Sequence, residues 1–157
     1  MNISTPSAPT PSTPAQPEMS QSPAVAVVEQ LYEQVWNGRR YALAEELFAA
    51  DYAHPSVPDL RGGAAKAAVI RGYHAAFPDL AITVNERVAA DDRVAVRLTI
   101  TGTDTGGFRG KPPSGRKINA WGVEFLRIQD GRIVEDWIGA DWLGMLEQLG
   151  VINSPWT

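Results

Sequence analysis

The spacing of hydrophobic positions changes along this chain, and each change predicts an element. From Ala24 to Asn37, Val25, Val28, Leu31, Tyr32 and Val35 recur at helical spacing, and Asn37-Gly38 ends the run. Leu43, Leu47 and Phe48 repeat that spacing in a second helix over Tyr41 to Ala50. His54-Pro55 and Pro58-Asp59 make Asp51 to Leu60 a loop, which Arg61-Gly62-Gly63 extends. A third, alanine-rich helix runs from Ala64 to Ala76 and stops at Phe77-Pro78, because the residue before a proline is pushed out of helical conformation. Alternation then takes over. Leu80 to Ala89, Arg93 to Thr101, Lys117 to Ile128 and Arg132 to Ala140 read as strands. Between the last two, Asp130-Gly131 supplies the positive φ angles that a two-residue hairpin turn demands. Helical spacing returns in Trp142, Met145, Leu146 and Leu149, closed by Gly150. Helices first and strands afterwards predict an α+β fold, with helices packed on one face of an antiparallel sheet.

The first 23 residues stand apart. Pro, Ser, Thr, Ala and Gln dominate them, with no aromatic residue, so they cannot bury enough apolar surface to offset their ordering entropy. They predict a disordered tail ahead of one domain over residues 24–152. They also lack the positive start and apolar run of a secretory signal, and no stretch of the chain reaches spanning length. The expectation is a cytoplasmic protein with no membrane partner.

Composition narrows the chemistry. A net charge of −4 without a basic run argues against a nucleic-acid partner. Cysteine is absent, which removes disulfides, thiolate catalysis and zinc-thiolate sites together. The two histidines, His54 and His74, have no partner at metal-ligand spacing. The expectation is chemistry with neither metal nor cofactor.

Three groups of motifs carry a resemblance. VEQLYEQVWNGRR, LFAADYAHP and FPDL come first; GTDTGGFRGKPPSGRKI follows; DGRIVEDW and LGMLEQLG come last. In that order and spacing the chain resembles the SnoaL-like polyketide cyclases, in the superfamily of nuclear transport factor 2 and ketosteroid isomerase. The resemblance implies a curved sheet and helices forming a cone around an apolar pocket. It implies cofactor-free acid/base ring closure or isomerisation of a small, apolar or aromatic polyketide-like substrate, and pairing into homodimers. An epoxide-opening hydrolase on the same cone and a non-catalytic ligand-binding protein are the alternatives. A homodimer also suits the sheet: Val94, Val96, Leu98 and Ile100 fill one face of their strand, leaving a second face to be covered.

The resemblance places a catalytic acid/base at Asp141, where burial in an apolar cavity would raise a carboxyl towards neutral pH. Local sequence offers a second role, because an Asp just before a helix is a preferred N-cap. His54, in YAHP, is a candidate for hydrogen bonding to substrate or for proton transfer, with packing beside proline as the alternative. His74 is expected to be a partly exposed helix residue. Asp104 stands where the family usually carries histidine and serves either as a substrate contact or as an ordinary turn residue. Trp36, Tyr73, Phe77, Phe108, Trp121 and Trp137 are the aromatic candidates for a pocket around a flat ligand. Arg97 and Glu124 are either a sheet-face ion pair or cavity groups, and Glu135 shares the parity of Trp137.

Overall fold

The computed structural model describes residues 22–54 and 57–153. Most of the expected tail lies outside that range, but Ser22 and Pro23 are within it and open the first helix. Ser22 caps helix α1 (Pro23–Gln30), its hydroxyl accepting from the Ala24 N–H at 3.2 Å, with Pro23 in the first turn where a missing N–H costs nothing. The single helix expected to reach Asn37 changes form midway. Leu31–Asn37 is π-helical, a geometry that concentrates at functional sites, and it carries both Tyr32 and Trp36. Its end is clamped to the sheet: the Asn37 amide exchanges hydrogen bonds of 2.8 and 2.9 Å with the Ile82 backbone.

Helix α2 (Tyr41–Leu47) ends three residues earlier than its apolar spacing suggests. Phe48 turns extended and bridges to Ile133, and the Ala49 N–H donates to the Ile133 carbonyl at 3.0 Å, so capture by the sheet overrides helix propensity. The expected loop over Asp51 to Leu60 is instead a short antiparallel pair, β1 (Ala53–His54) and β2 (Val57–Arg61). Helix α3 (Gly62–Ala76) follows at once. Its Gly63 lies against α2 so closely that a Cβ would sit 2.4 Å from the Ala44 carbonyl oxygen.

The main sheet is a meander of β3 (Ala81–Ala90), β4 (Arg93–Thr103), β5 (Lys117–Gln129) and β6 (Arg132–Ala140). Asp130 and Gly131 turn the last hairpin with φ of 49° and 73°, as the Asp-Gly pair predicts. One irregularity matters on β6. Arg127 faces Glu135 and Ile128 faces Ile133, which leaves Val134 as the extra residue of a β-bulge. Ile133 and Asp136, three residues apart, therefore both point inward and are wholly buried. Helix α4 (Trp142–Gln148) closes the chain, and Gly150 at φ 72° ends it with paired bonds from Gly150 N–H to Glu147 and Val151 N–H to Leu146. Among the described residues no helix is long and apolar enough to cross a membrane.

The concave face of the sheet carries two apolar clusters. One joins α1, the π-helical segment, α2 and the near part of α3 to β4, β5 and β6 through Leu31, Phe48, Tyr52, Ile70, Leu98 and Leu126. The other gathers Phe77, Leu80, Phe108, Ile118, Met145 and Leu149 around α4 and the end of α3. Fully burying one such Leu, Ile or Phe contributes about 1.5–3 kcal/mol. Trp36 and Ile100 pack against both clusters, and the space between the two is open.

Candidate active site

That space is a cavity of about 670 Å3, within the size range of small-molecule sites. Trp36, Tyr73, Phe108 and Trp142 give it aromatic walls, and Ile82, Leu98 and Ile100 line its sheet side. Apart from the Tyr73 phenol on the aromatic wall, its charged and titratable lining is sparse: Tyr32, His54, Lys66, Arg109 and Glu124.

Glu124 reaches the cavity because it shares the inward alternation of Ile118, Ala120, Leu126 and Ile128 along β5. Lys66 gets there by helical spacing, in line with Gly63, Ala67, Ile70 and His74 on the buried stripe of α3. Behind them lies Asp136, delivered by the bulged strand. The Lys66 ammonium is paired with Asp136 Oδ2, and the Tyr52 hydroxyl donates to Asp136 Oδ1 at 2.7 Å. Tyr32, from the π-helical segment, donates its hydroxyl to Glu124 Oε2. A hydrogen bond joins the two carboxyl groups. The cluster thus holds one ammonium and two carboxyls, and it is neutral when one proton is retained between them.

Titration follows from that environment. Burial pushes the Glu124 carboxyl up to about 7; the Lys66 charge pulls it back and the Asp136 charge pushes it further. Burial acts on Asp136 in the same direction, but the Lys66 charge and the hydrogen bonds from Lys66, Tyr52 and Glu124 outweigh it and hold Asp136 below its usual range. Burial first, and then the neighbouring carboxylates, raise the Tyr32 and Tyr52 phenols, so both remain donors at neutral pH. His54 is pulled down by burial and by Lys66 against the pull of Asp136, which keeps its imidazole neutral near pH 7. Glu124 is therefore a carboxyl able to take and return a proton near neutrality, facing an apolar chamber.

The expected site residues divide. His54, Trp36, Tyr73 and Phe108 line the cavity. Phe77 is fully buried behind that wall, its ring 5.3 Å from Phe108. Trp121 and Trp137 do not line the cavity: they lie 57% and 56% exposed on the convex face, because the odd positions of β5, and those of β6 beyond its bulge, point away from the helices. Asp104 is buried as a loop brace, accepting from the Gly107 N–H at 3.0 Å and from the Ser114 N–H and hydroxyl at 2.9 and 2.8 Å. His74 is not partly exposed but buried, with Nδ1 3.0 Å from the Tyr41 hydroxyl. Arg97 pairs with Glu86 rather than Glu124, and Glu135 with Arg127, both on the convex side. Asp136 and Lys66 were not anticipated. The signal for Lys66 was a charged residue on an apolar helical stripe.

Asp141 turns to the helix. Its Oδ1 accepts from the Gly144 N–H at 2.9 Å in N-cap geometry, and it is not among the residues of the cavity wall. Asp141→Ala is accordingly expected to lower stability by about 1 kcal/mol, and Asp141→Asn to change it little. Urea denaturation of both variants, beside their turnover, checks this; a large loss of turnover in folded Asp141→Asn would return the residue to the chemistry.

The same architecture recurs in solved structures. TsrD from Streptomyces laurentii superposes with a TM-score of 0.73 at 30% identity, over 81% of this chain and 97% of that one. IdmH from Streptomyces antibioticus superposes at 0.69 with 32% identity, over 81% and 98%. In sequence, the aklanonic acid methyl ester cyclase DauD of Streptomyces sp. (strain C5) is 30% identical over 144 residues, spanning 86% of this chain and 84% of that protein. The family profile of the SnoaL-like polyketide cyclases matches residues 26–149, nearly the whole folded domain. With a buried carboxyl at the wall of an apolar cavity and that likeness along its length, the chain belongs to the SnoaL-like polyketide cyclase family, enzymes of ring closure.

Proposed function

We propose that this enzyme closes a ring by an intramolecular aldol-type addition in a polyketide ester, with Glu124 as the acid/base group. The observation that carries the reading is the placement of Glu124: a buried carboxyl held near neutral pH at the wall of the cavity. The ester follows the relatives, whose names specify methyl ester cyclases. Glu124 removes a proton from the carbon beside the ester carbonyl. The resulting enolate carbon attacks a ketone carbon of the same molecule; one C–C bond forms and the ketone C=O π bond opens to an alkoxide. The proton on Glu124 returns to that oxygen, leaving an isomer of the substrate and an unchanged enzyme. Atoms and electrons balance without a co-reactant. Asp136 is the partner carboxylate that tunes Glu124, and Lys66 holds Asp136 ionised. Neutral His54, on the same wall, is the donor proposed for the carbonyl oxygen on which charge develops.

Turnover should rise with pH through about 7 and then level, because the base form of Glu124 appears as its raised carboxyl ionises. A pH profile of the initial rate on a β-keto methyl ester substrate tests this. A flat profile from about pH 5 to 9 would exclude a carboxyl raised by burial.

The convex face supports the expected homodimer. Trp121, Phe125 and Trp137 share that face, each more than half exposed, with Phe125 and Trp137 directly paired across β5 and β6 and Trp121 four residues along β5 from Phe125. An aromatic face of this kind is what a second copy would cover about a two-fold axis. Sedimentation is expected to give a dimer at micromolar concentration and a monomer for Phe125→Glu. A monomeric wild type would count against this.

A further inference from the structure

Arg109 is the cation of the cavity wall that the proton-transfer cluster does not use. It belongs to the connection between β4 and β5, and its exposed side chain lies at the rim. The guanidinium carbon stands 5.4 Å from the Phe108 ring centre and 5.7 Å from that of Trp142, both wall residues. Lys66 is neutralised by Asp136, whereas Arg109 enters no ion pair among the described residues. Stacking on aromatic faces leaves the in-plane N–H donors of a guanidinium available to a ligand.

The backbone adds a second, independent observation. Arg109 has a φ of 49°, in the left-handed region that side chains other than glycine disfavour. Gly107 and Gly110, at 86° and 75°, make the neighbouring left-handed turns without that cost. Such a conformation persists only where its surroundings over-determine it. Here they do. Asp104 ties Gly107 to Ser114 from beneath, and the N–H groups of Thr105 and Gly106 both donate to the Ala76 carbonyl. At Gly106 a Cβ would lie 1.8 Å from the Ala75 carbonyl oxygen, so the loop is pressed onto the end of α3. The arginine is mounted on a fixed rim.

We propose that Arg109 reads an ionised oxygen, carboxylate or phenolate, on the substrate at the end remote from the carbon that Glu124 deprotonates. This deepens the proposed reaction and rests on it for the assignment of the reacting end. Glu124 is only 4% exposed while Arg109 is at the surface, and aromatic walls lie between. A flat acid bound with its charge at the rim meets a guanidinium, and its neutral end meets the carboxyl pair. The reversed pose sets an anion beside Glu124, whose base form leaves the cluster of Lys66, Asp136 and Glu124 with a net negative charge that opposes it. Arg109 is thus a specificity residue that fixes which end of the molecule cyclises.

The test uses the full chain with rhein, a planar dihydroxyanthraquinone carboxylate, and with rhein methyl ester, followed by quenching of tryptophan fluorescence. At neutral pH, Arg109→Gln is expected to weaken rhein by about tenfold or more and the ester by less than about twofold, which assigns the carboxylate. Ester binding that comes to depend on Arg109 only as the pH is raised through its phenol ionisation assigns the phenolate. Arg109→Lys should retain part of the preference, since it keeps the charge and loses the planar fork. Equal weakening of rhein and the neutral ester, or a wild type that prefers the ionised probe at no pH, overturns the proposal. Circular dichroism confirms that each variant is folded. Because binding is read without turnover, this result and the fate of Glu124 are separable.

Discussion

Glu124→Gln is expected to fold and to lose between about a hundredfold and ten-thousandfold in turnover, the usual contribution of a positioned acid/base group. The amide keeps the volume of the side chain, still accepts from the Tyr32 hydroxyl, and can donate to Asp136, but it cannot accept a proton from carbon. The same variant should gain stability in alkali. In the wild type the folded state holds the Glu124 proton more tightly than the unfolded chain does, since burial raises the carboxyl to about 7. Stability is therefore lost as the pH climbs from the ordinary glutamate range through about 7. Glutamine has no such proton to lose, so its melting temperature should exceed that of the wild type above that pH. A variant that keeps a tenth or more of wild-type turnover would remove Glu124 from the chemistry.

Lys66→Met should be the most damaging single change to the fold, costing about 3–5 kcal/mol, because it strips the counter-charge from a fully buried carboxylate. That is a large share of the roughly 5–15 kcal/mol that holds a domain together. Methionine fills the stem of the lysine but offers Asp136 no donor, and the lost contacts include the ammonium 5.2 Å from the Phe48 ring centre. The sign of the pH effect follows from Asp136. Its folded carboxyl is held low against the push of burial, chiefly by Lys66, so its stabilisation is present above the usual aspartate range and lost as the pH falls through the folded value. The deficit of Lys66→Met should accordingly shrink in acid. Replacing Asp136 by Leu in the same chain should recover much of it, since removing both partners leaves no orphaned charge. Urea denaturation at neutral and acid pH measures all three; a neutral-pH deficit under about 1 kcal/mol would show that the pair is dispensable.

The strands and helices were legible wherever a single period governed a stretch. β6 was placed from Arg132 to Ala140, as observed, because a turn with one chemical solution precedes it. What escaped the sequence depended on partners distant along the chain. Phe48 leaves its helix because Ile133 captures it, and no local pattern at Phe48 records that. The π-helical turn at Leu31 has no composition of its own. In the site, the carboxyl beside the last helix drew attention to Asp141, yet the short-range N-cap bond claims that side chain. Glu124 and Lys66 carried a plainer mark: each is a charge set in an otherwise apolar row, one at strand spacing and one at helical spacing. A buried charge needs a partner, so two such rows pointing into one space already suggest a paired cluster.

The bulge at Val134 can be restated as a matter of parity. A strand encodes one binary choice per residue, in or out, and the choice alternates without error until a residue is added. The Asp-Gly turn sets the starting value at Ile133, which must read "in" to join the apolar core. Uncorrected counting would then make Asp136 read "out", on the convex face beside the exposed aromatic patch. Val134 is the inserted symbol that inverts the remainder of the message. Two requirements three residues apart on one strand, a core contact at Ile133 and a buried partner for Lys66 at Asp136, are reconciled by a single uncounted residue.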